Sequence, residues 1–157
     1  TGDIGEVDKD GFLRITDRKK EMFKTSGGKY IAPQVLENAL KQSRFIEQLM
    51  VIGENQKMPA ALIQPNWEFI AEWGKNKGLS LPTDLNALSQ HPKVIARIQK
   101  EIDLFNTKFG KWEQIKKFEL TPEVWSIELG LLTPTMKMKR KVIKAHYQEL
   151  IEKIYAE

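Results

Sequence analysis

The order of strand and helix patterns along this chain of 157 residues leaves few folds open. Two apolar runs at residues 46–53 and 60–64, joined by a polar loop, predict neighbouring strands. A helical pattern begins at Pro92, with apolar residues spaced three and four apart, and a further strand is predicted at residues 117–120. Because these patterns do not alternate in the regular βαβ order, they predict a small α+β domain rather than a doubly wound sheet.

Shorter patterns extend this prediction in both directions. Alternating residues on both sides of an Asp-Gly pair predict a β-hairpin at residues 6–15. The last helix is predicted from about Lys139, with Ile143, Tyr147, Leu150 and Ile154 on one stripe. The remaining predicted elements are a short strand at 21–24, a helix from Pro33 with apolar Val35, Leu36, Ala39 and Leu40, a helix at 67–75, a short helix within 79–90 and a mostly irregular segment at 121–135.

The composition excludes several kinds of functional site. The chain has no cysteine, so it cannot form a disulfide, a thiolate metal site or a cysteine nucleophile. Its two histidines, His91 and His146, are too isolated to indicate a histidine metal site. The sequence contains no apolar run of about 18 residues, which argues against a membrane-spanning helix.

Positive charge is concentrated in two segments, although the formal net charge is only +4. A cluster of basic residues is most often a solvated face, but two clusters beside turn-rich segments favour a phosphate-bearing ligand. The same clusters also fit a nucleic-acid or anionic-surface binding module, and the basic last helix fits a peripheral membrane domain. The clusters are Arg18, Lys19, Lys20, Lys24 and Lys29 in the first segment and Lys137, Lys139, Arg140, Lys141 and Lys144 in the second.

The two basic segments carry the chain's most specific motifs. The first is TGDIGEVDKDGFLRITDRKKEMFKTSGGKYIAP, and the second is LTPTMKMKRKVI. Together, in this order and separation, they resemble the closing motifs of the adenylate-forming enzymes, and most of all those of long-chain fatty acyl-CoA synthetases. The resemblance implies a C-terminal lid domain over residues 20–157, with short strands and flanking helices. Residues 1–19 would then be the last β-hairpin of a large N-terminal AMP-binding domain, so we expect the chain to be the C-terminal piece of a longer protein.

The resemblance assigns three residues of the first segment to the nucleotide and the hinge. Asp3 corresponds to the family aspartate that accepts hydrogen bonds from the ATP ribose hydroxyls, as a carboxylate can from a diol. Arg18 corresponds to the arginine that binds the nucleotide, and its planar donor fork suits ribose or phosphate oxygens. Lys20 falls at the hinge position, where backbone rotation would turn the lid between two half-reactions.

The resemblance also assigns a glycine loop and a catalytic lysine. Gly27 and Gly28 would line the path of CoA during thioester formation, where side chains would obstruct it. Most relatives carry a catalytic lysine with an arginine three positions later, and Lys137 has Arg140 at that offset. Many relatives have glycine where this chain has Met136, so Lys139 remains the alternative.

These assignments imply an ATP-dependent long-chain fatty acid–CoA ligase that forms acyl-CoA, AMP and pyrophosphate through an acyl-adenylate. ATP and Mg²⁺ would be bound mostly by the large N-terminal domain, and CoA would be a substrate. The expected partners are therefore that domain and the small-molecule substrates, with no nucleic acid. We expect a cytoplasmic parent, with peripheral membrane contact left open, and an isolated piece without activity.

Overall fold

A computed structural model of the chain describes residues 22–156. The predicted hairpin at residues 6–15, the proposed division at residue 19, and Asp3, Arg18 and Lys20 lie outside the described residues. The described elements confirm the α+β fold class. They are β1 (Phe23–Lys24), β2 (Tyr30–Ile31), α1 (Pro33–Leu40), β3 (Ile46–Ile52), β4 (Ala60–Pro65), α2 (Trp67–Asn76), α3 (Leu85–Ser89), α4 (Pro92–Asn106), a 3-10 turn (Lys111–Glu113), β5 (Lys117–Leu120), α5 (Arg140–His146) and α6 (Gln148–Tyr155).

A three-stranded sheet forms the centre of the fold, in the order β3-β4-β5. Strands β3 and β4 are antiparallel, with Val51 opposite Ala61, whereas β4 and β5 are parallel, with Leu62 opposite Glu119. Strands β1 and β2 form a separate antiparallel pair. All six residues of β4 are buried, as expected for a central strand covered on both faces.

Alternate residues of β4 divide the interior into two hydrophobic clusters. Ala61 and Ile63 belong to the first cluster, which packs against α1, α2 and α4. Ala60 and Leu62 belong to the second, which contains Trp125 and the apolar residues of α5 and α6. Successive side chains of a strand point to opposite faces, so the sheet separates the two clusters. Burial of each large aliphatic side chain here contributes about 1.5–3 kcal/mol before the entropy cost of ordering it.

Local capping explains where several helices begin. The side chain of Asn66 accepts a hydrogen bond from the Phe69 amide at the start of α2, and Asp84 does the same for Ala87 at the start of α3. Helices α1 and α4 begin with proline, which needs no amide partner at the first helical position. None of the helices described within residues 22–156 combines the length and apolar character needed to cross a membrane.

The structure corrects the prediction of one continuous last helix. Helices α5 and α6 are separate because Tyr147 has φ −109° and ψ 29°, outside helical values. The Tyr147 amide still donates to the Ile143 carbonyl, and the Ile151 amide donates to the Tyr147 carbonyl, both at 3.0 Å. The apolar stripe therefore continues from α5 into α6. The spacing of its residues does not reveal that the helix is interrupted. Strand β2 was also missed, since two residues are too few to show alternation.

Candidate functional site

Lys137 closes a tight turn of five residues, Thr133 to Lys137, which we call the lysine turn. The Met136 amide donates to the Thr133 carbonyl at 2.7 Å, and the Thr133 amide donates to the Lys137 carbonyl at 2.8 Å. The Thr133 side chain adds a brace, because its Oγ1 accepts from the Lys137 amide at 3.0 Å. Pro134 suits the second position of such a turn, and Met136 adopts a left-handed conformation with φ 68°.

The ends of the lysine turn are held by a short antiparallel contact. Leu132 bridges to Met138, and the Lys139 amide donates to the Leu131 carbonyl at 2.9 Å. Leu131 and Leu132, the residues directly before the turn, are fully buried in the second cluster, so packing fixes the base of the turn. Lys137 and Lys139 are both exposed: Lys137 lies on the turn itself, whereas Lys139 is the residue preceding α5.

Gly27 and Gly28 lie in a second turn of the same length, Thr25 to Lys29, which we call the glycine turn. Its hydrogen bonds repeat those of the lysine turn: the Gly28 amide donates to the Thr25 carbonyl at 3.0 Å, and the Thr25 amide to the Lys29 carbonyl at 2.9 Å. The Lys29 amide also lies 3.3 Å from Thr25 Oγ1. Gly28 occupies the left-handed position with φ 89°, and neither glycine has a neighbouring heavy atom where a Cβ would stand.

The glycine turn is supported by the loop between β3 and β4. The Ser26 amide donates to the Gln56 carbonyl at 2.8 Å, and the Asn55 amide donates to the Lys24 carbonyl at 2.9 Å. The Lys29 ammonium lies 5.5 Å from the centre of the Trp112 ring, within range of a cation–π contact. The two turns therefore have different structural neighbours.

An ion pair joins the elements that follow the two turns. Arg140, the first residue of α5, donates from Nη2 to Glu37 Oε1 at 2.6 Å and from Nη1 to Glu37 Oε2 at 2.7 Å. Glu37 lies on α1 with only 4% of its side chain exposed, while 27% of the Arg140 side chain is exposed. Glu37 Oε2 also accepts from the Val51 amide of β3 at 2.8 Å. This carboxylate thus joins α1, the sheet edge and the start of α5.

The sequence analysis missed Glu37, although the sequence holds one signal. Glu37 lies between Leu36 and Leu40 on the side of α1 that packs into the first cluster. A carboxylate on the apolar side of a helix needs a positive or hydrogen-bonding partner, because its burial without one is costly. The sequence gives no indication that the partner lies 103 residues later.

A groove of about 800 Å³ runs beside the base of the lysine turn. Met22, the second residue after Lys20, lines this groove together with residues from the first turn of α5. The charge of the groove is mainly positive. Its charged lining residues are Lys139, Arg140, Lys141, Lys144 and Glu54.

Comparison with known families agrees with this architecture. The AMP-binding enzyme C-terminal domain matches residues 21–157. The chain belongs to this family, and the lysine and glycine turns both lie within the matched region.

Curated proteins match this chain over nearly its whole length. The chain is 39% identical over 155 residues to the long-chain-fatty-acid–CoA ligase FadD15 of Mycobacterium tuberculosis, covering 99% of this chain and 26% of that protein. It is 37% identical to the peroxisomal long chain acyl-CoA synthetase 7 of Arabidopsis thaliana, covering 100% of this chain and 23% of that protein. The chain thus spans about a quarter of the length of these relatives.

Solved structures show the same fold. The A-PCP didomain of a carboxylic acid reductase from Segniliparus rugosus, in complex with AMP, aligns with a TM-score of 0.68 at 25% identity, covering 88% of this chain and 18% of that one. A Mycobacterium tuberculosis fatty acyl CoA synthetase aligns with a TM-score of 0.55 at 21% identity, covering 96% of this chain and 24% of that one. These alignments confirm the predicted fold class.

Proposed function

We propose that this chain is the C-terminal lid of an ATP-dependent long-chain fatty acid–CoA ligase. Similarity to two long-chain acyl-CoA ligases over almost the whole chain supports this proposal. In the first half-reaction a carboxylate oxygen of the fatty acid attacks the α-phosphorus of ATP, and pyrophosphate leaves. In the second, the CoA thiol attacks the acyl carbonyl and AMP leaves. Family membership favours this function over a general anionic-surface or nucleic-acid binding module.

The lysine turn is the observation that carries the catalytic part of the proposal. It presents the exposed Lys137 on a backbone fixed by three hydrogen bonds and a buried base. A preorganised ammonium group can stabilise the negative charge that develops between the fatty carboxylate and the α-phosphate. Lys137 would supply this charge during adenylation, when the lid covers the large domain.

Nucleotide and metal binding would depend mainly on the large domain. Within residues 22–156 there is no cluster of three or more histidine and carboxylate side chains able to hold a metal ion. Asp3 and Arg18 would contact the nucleotide from the segment before the lid.

The second half-reaction would use the other turn. Rotation at Lys20 would replace the lysine turn by the glycine turn, where Gly27 and Gly28 leave room for CoA. A Lys20→Pro substitution in the full-length protein would fix φ and should slow the two half-reactions by different factors. Equal losses in both would contradict a hinge at Lys20.

The catalytic proposal can be tested by measuring the half-reactions separately in the full-length protein. Lys137→Ala should slow adenylation by roughly 10²–10³, the scale for removing one preorganised stabilising group. It should leave the conversion of preformed acyl-adenylate and CoA nearly unchanged, because the turn is then away from the reacting atoms. Lys139→Ala is the matched variant and should be mild in both. A selective adenylation defect in Lys139→Ala instead would move the catalytic assignment to that residue.

A further inference from the structure

We infer that Glu37 and Arg140 are positioning residues for adenylation, acting through the lysine turn. This inference rests on the proposed function of Lys137. Arg140 follows Lys137 by three residues and begins α5, so its side chain fixes the point where the turn enters the helix. Glu37 holds both ends of the Arg140 fork at 2.6 and 2.7 Å.

The geometry of the ion pair makes it directional as well as attractive. A bidentate pair of guanidinium and carboxylate restricts the relative orientation of the two groups, which a single lysine contact would not do. Glu37 is itself fixed, because it is almost fully buried and Oε2 also accepts from the Val51 amide at 2.8 Å. The ion pair therefore fixes the position of α5, and with it one end of the lysine turn, relative to the edge strand of the sheet.

The other end of the lysine turn is fixed by the buried pair Leu131 and Leu132, and the Leu132–Met138 bridge joins the two ends. With this end held by packing, a shift of Arg140 would distort the turn between the two attachments rather than move it as a body. A small displacement of a catalytic group can cost a large factor in rate. Loss of the ion pair should thus reduce adenylation even though neither residue contacts the reacting atoms in the proposed mechanism.

The first test is Glu37→Gln in the full-length protein, with adenylation and thioester formation measured separately. Glutamine keeps an acceptor for the Val51 amide but weakens the charged bidentate contact. We expect adenylation to fall roughly tenfold through kcat, the scale of losing one charged hydrogen bond, with thioester formation from preformed acyl-adenylate nearly unchanged. Arg140→Lys keeps the positive charge without the fork and should give a smaller selective loss.

A double substitution separates positioning from general stability. In a Lys137→Ala background the ammonium group that the ion pair would position is already absent. Adding Glu37→Gln should therefore change the rate of adenylation by less than about twofold. Glu101→Gln is the matched control, because it weakens another internal pair, Arg97–Glu101 at 2.9 Å, whose arginine is also 27% exposed. This control should leave the ratio of the two half-reactions unchanged.

The outcomes distinguish the inference from the function on which it rests. If Lys137→Ala slows adenylation selectively but Glu37→Gln and Arg140→Lys slow both half-reactions equally, the ion pair is only structural and the inference is wrong. The same conclusion follows if the losses from Glu37→Gln and Lys137→Ala multiply in the double variant. If Lys137→Ala leaves adenylation intact, the catalytic assignment of Lys137 fails, and the positioning role fails with it.

Discussion

The glycine turn and the lysine turn have the same backbone hydrogen bonds but differ in the residue at their fourth position. Each begins with a threonine that braces the turn, and each ends with a lysine four residues later. The left-handed position holds Gly28 in one turn and Met136 in the other. Glycine adopts this conformation without a steric penalty, whereas a methionine there costs roughly 1–2 kcal/mol. The lysine turn therefore needs more stabilising contacts from the surrounding structure than the glycine turn does, to offset this steric cost.

The supports of the two turns match this difference. The glycine turn is held mainly by backbone hydrogen bonds to the neighbouring loop at Asn55 and Gln56. The lysine turn stands on buried leucines and lies three residues from the ion pair of Arg140 with Glu37. A strained conformation persists only where neighbouring contacts determine it strongly. The comparison therefore predicts that the lysine turn depends on the ion pair of Arg140 with Glu37 and the glycine turn does not.

The largest expected effect comes from removing the carboxylate that supports the lysine turn. Glu37→Ala should lower the free energy of unfolding by about 3 kcal/mol, because Arg140 and the Val51 amide both lose their contacts with this buried carboxylate. Urea unfolding of the chain measures the total loss. Hydrogen exchange should show a faster Lys137 amide with an unchanged Lys29 amide.

The control for this change is the exposed pair Lys153–Glu119, whose charged atoms lie 3.4 Å apart. Lys153→Ala should alter the free energy of unfolding by less than about 0.5 kcal/mol. Equal acceleration of both turn amides in Glu37→Ala would contradict the separate dependence of the two turns.

A smaller effect is expected from giving the glycine turn a side chain. Gly28→Ala should destabilise the chain by about 1 kcal/mol, because alanine is strained at φ 89° even though the space is open. Gly27→Ala is the matched control, since Gly27 lacks a positive φ and has equally open surroundings. Thermal or urea unfolding checks both variants. If the two alanines have the same effect, the left-handed conformation at Gly28 is not the cause.

The reciprocal change in the lysine turn should be smaller and of opposite sign. Met136→Gly removes the strain of the left-handed residue but adds freedom to the unfolded chain, so we expect a net stabilisation of about 0.5 kcal/mol. Thr135→Gly, at the preceding position without a positive φ, should be destabilising instead. A destabilised Met136→Gly variant in urea unfolding would mean that the methionine side chain contributes more than its conformation costs.

The smallest expected effect is a dependence of the free energy of unfolding on pH, which is absent near neutrality. Burial raises the pKa of Tyr155, and burial with the nearby Glu123 carboxylate raises the pKa of Tyr147. Both residues lie on the sheet face that carries the lysine turn. An unfolded tyrosine ionises near pH 10, so the stability that these hydroxyls contribute is fully present below that pH and is lost as the pH rises above it.

Tyr155→Phe should therefore reduce the loss of stability between about pH 9 and pH 11, measured as the urea midpoint. The variant also removes a hydrogen bond to the Met58 carbonyl, so it should start from a lower midpoint at neutral pH. Tyr30→Phe, at an exposed tyrosine beside the glycine turn, is the control. An unchanged pH dependence in Tyr155→Phe would exclude that hydroxyl as a source of the effect.

Local patterns predicted most of the described fold. The runs at residues 46–53 and 60–64 form β3 and β4, and Pro33 and Pro92 begin α1 and α4, because these features depend on neighbouring residues. Fine details of burial were less accurate: Val35 was placed on the apolar face of α1, and Ile95 belongs to the apolar series predicted for the helix from Pro92, yet both are exposed. Their helices are covered on one side only, and spacing alone does not give the width of the covered side.

The candidate site was predictable in part. Motif resemblance drew attention to Gly27, Gly28 and Lys137, and the structure places them in two equivalent turns, although their roles remain predictions. The braces from Thr25 and Thr133 escaped notice because a threonine in a loop has no single expected partner. Glu37 was missed because its partner is set by tertiary packing across 103 residues.

The second hydrophobic cluster has a consequence for the order in which the fold can form during synthesis, because the residues that cover one face of the sheet come late in the chain. The sheet face formed by Met50, Ile52 and Leu62 is covered largely by residues from Trp125 onward. During synthesis this face therefore stays uncovered until the last helices emerge from the ribosome, and exposed apolar surface of this kind favours aggregation. A nascent chain interrupted before α6 should accordingly be a substrate for chaperones and proteases, even though its lysine turn has already been translated.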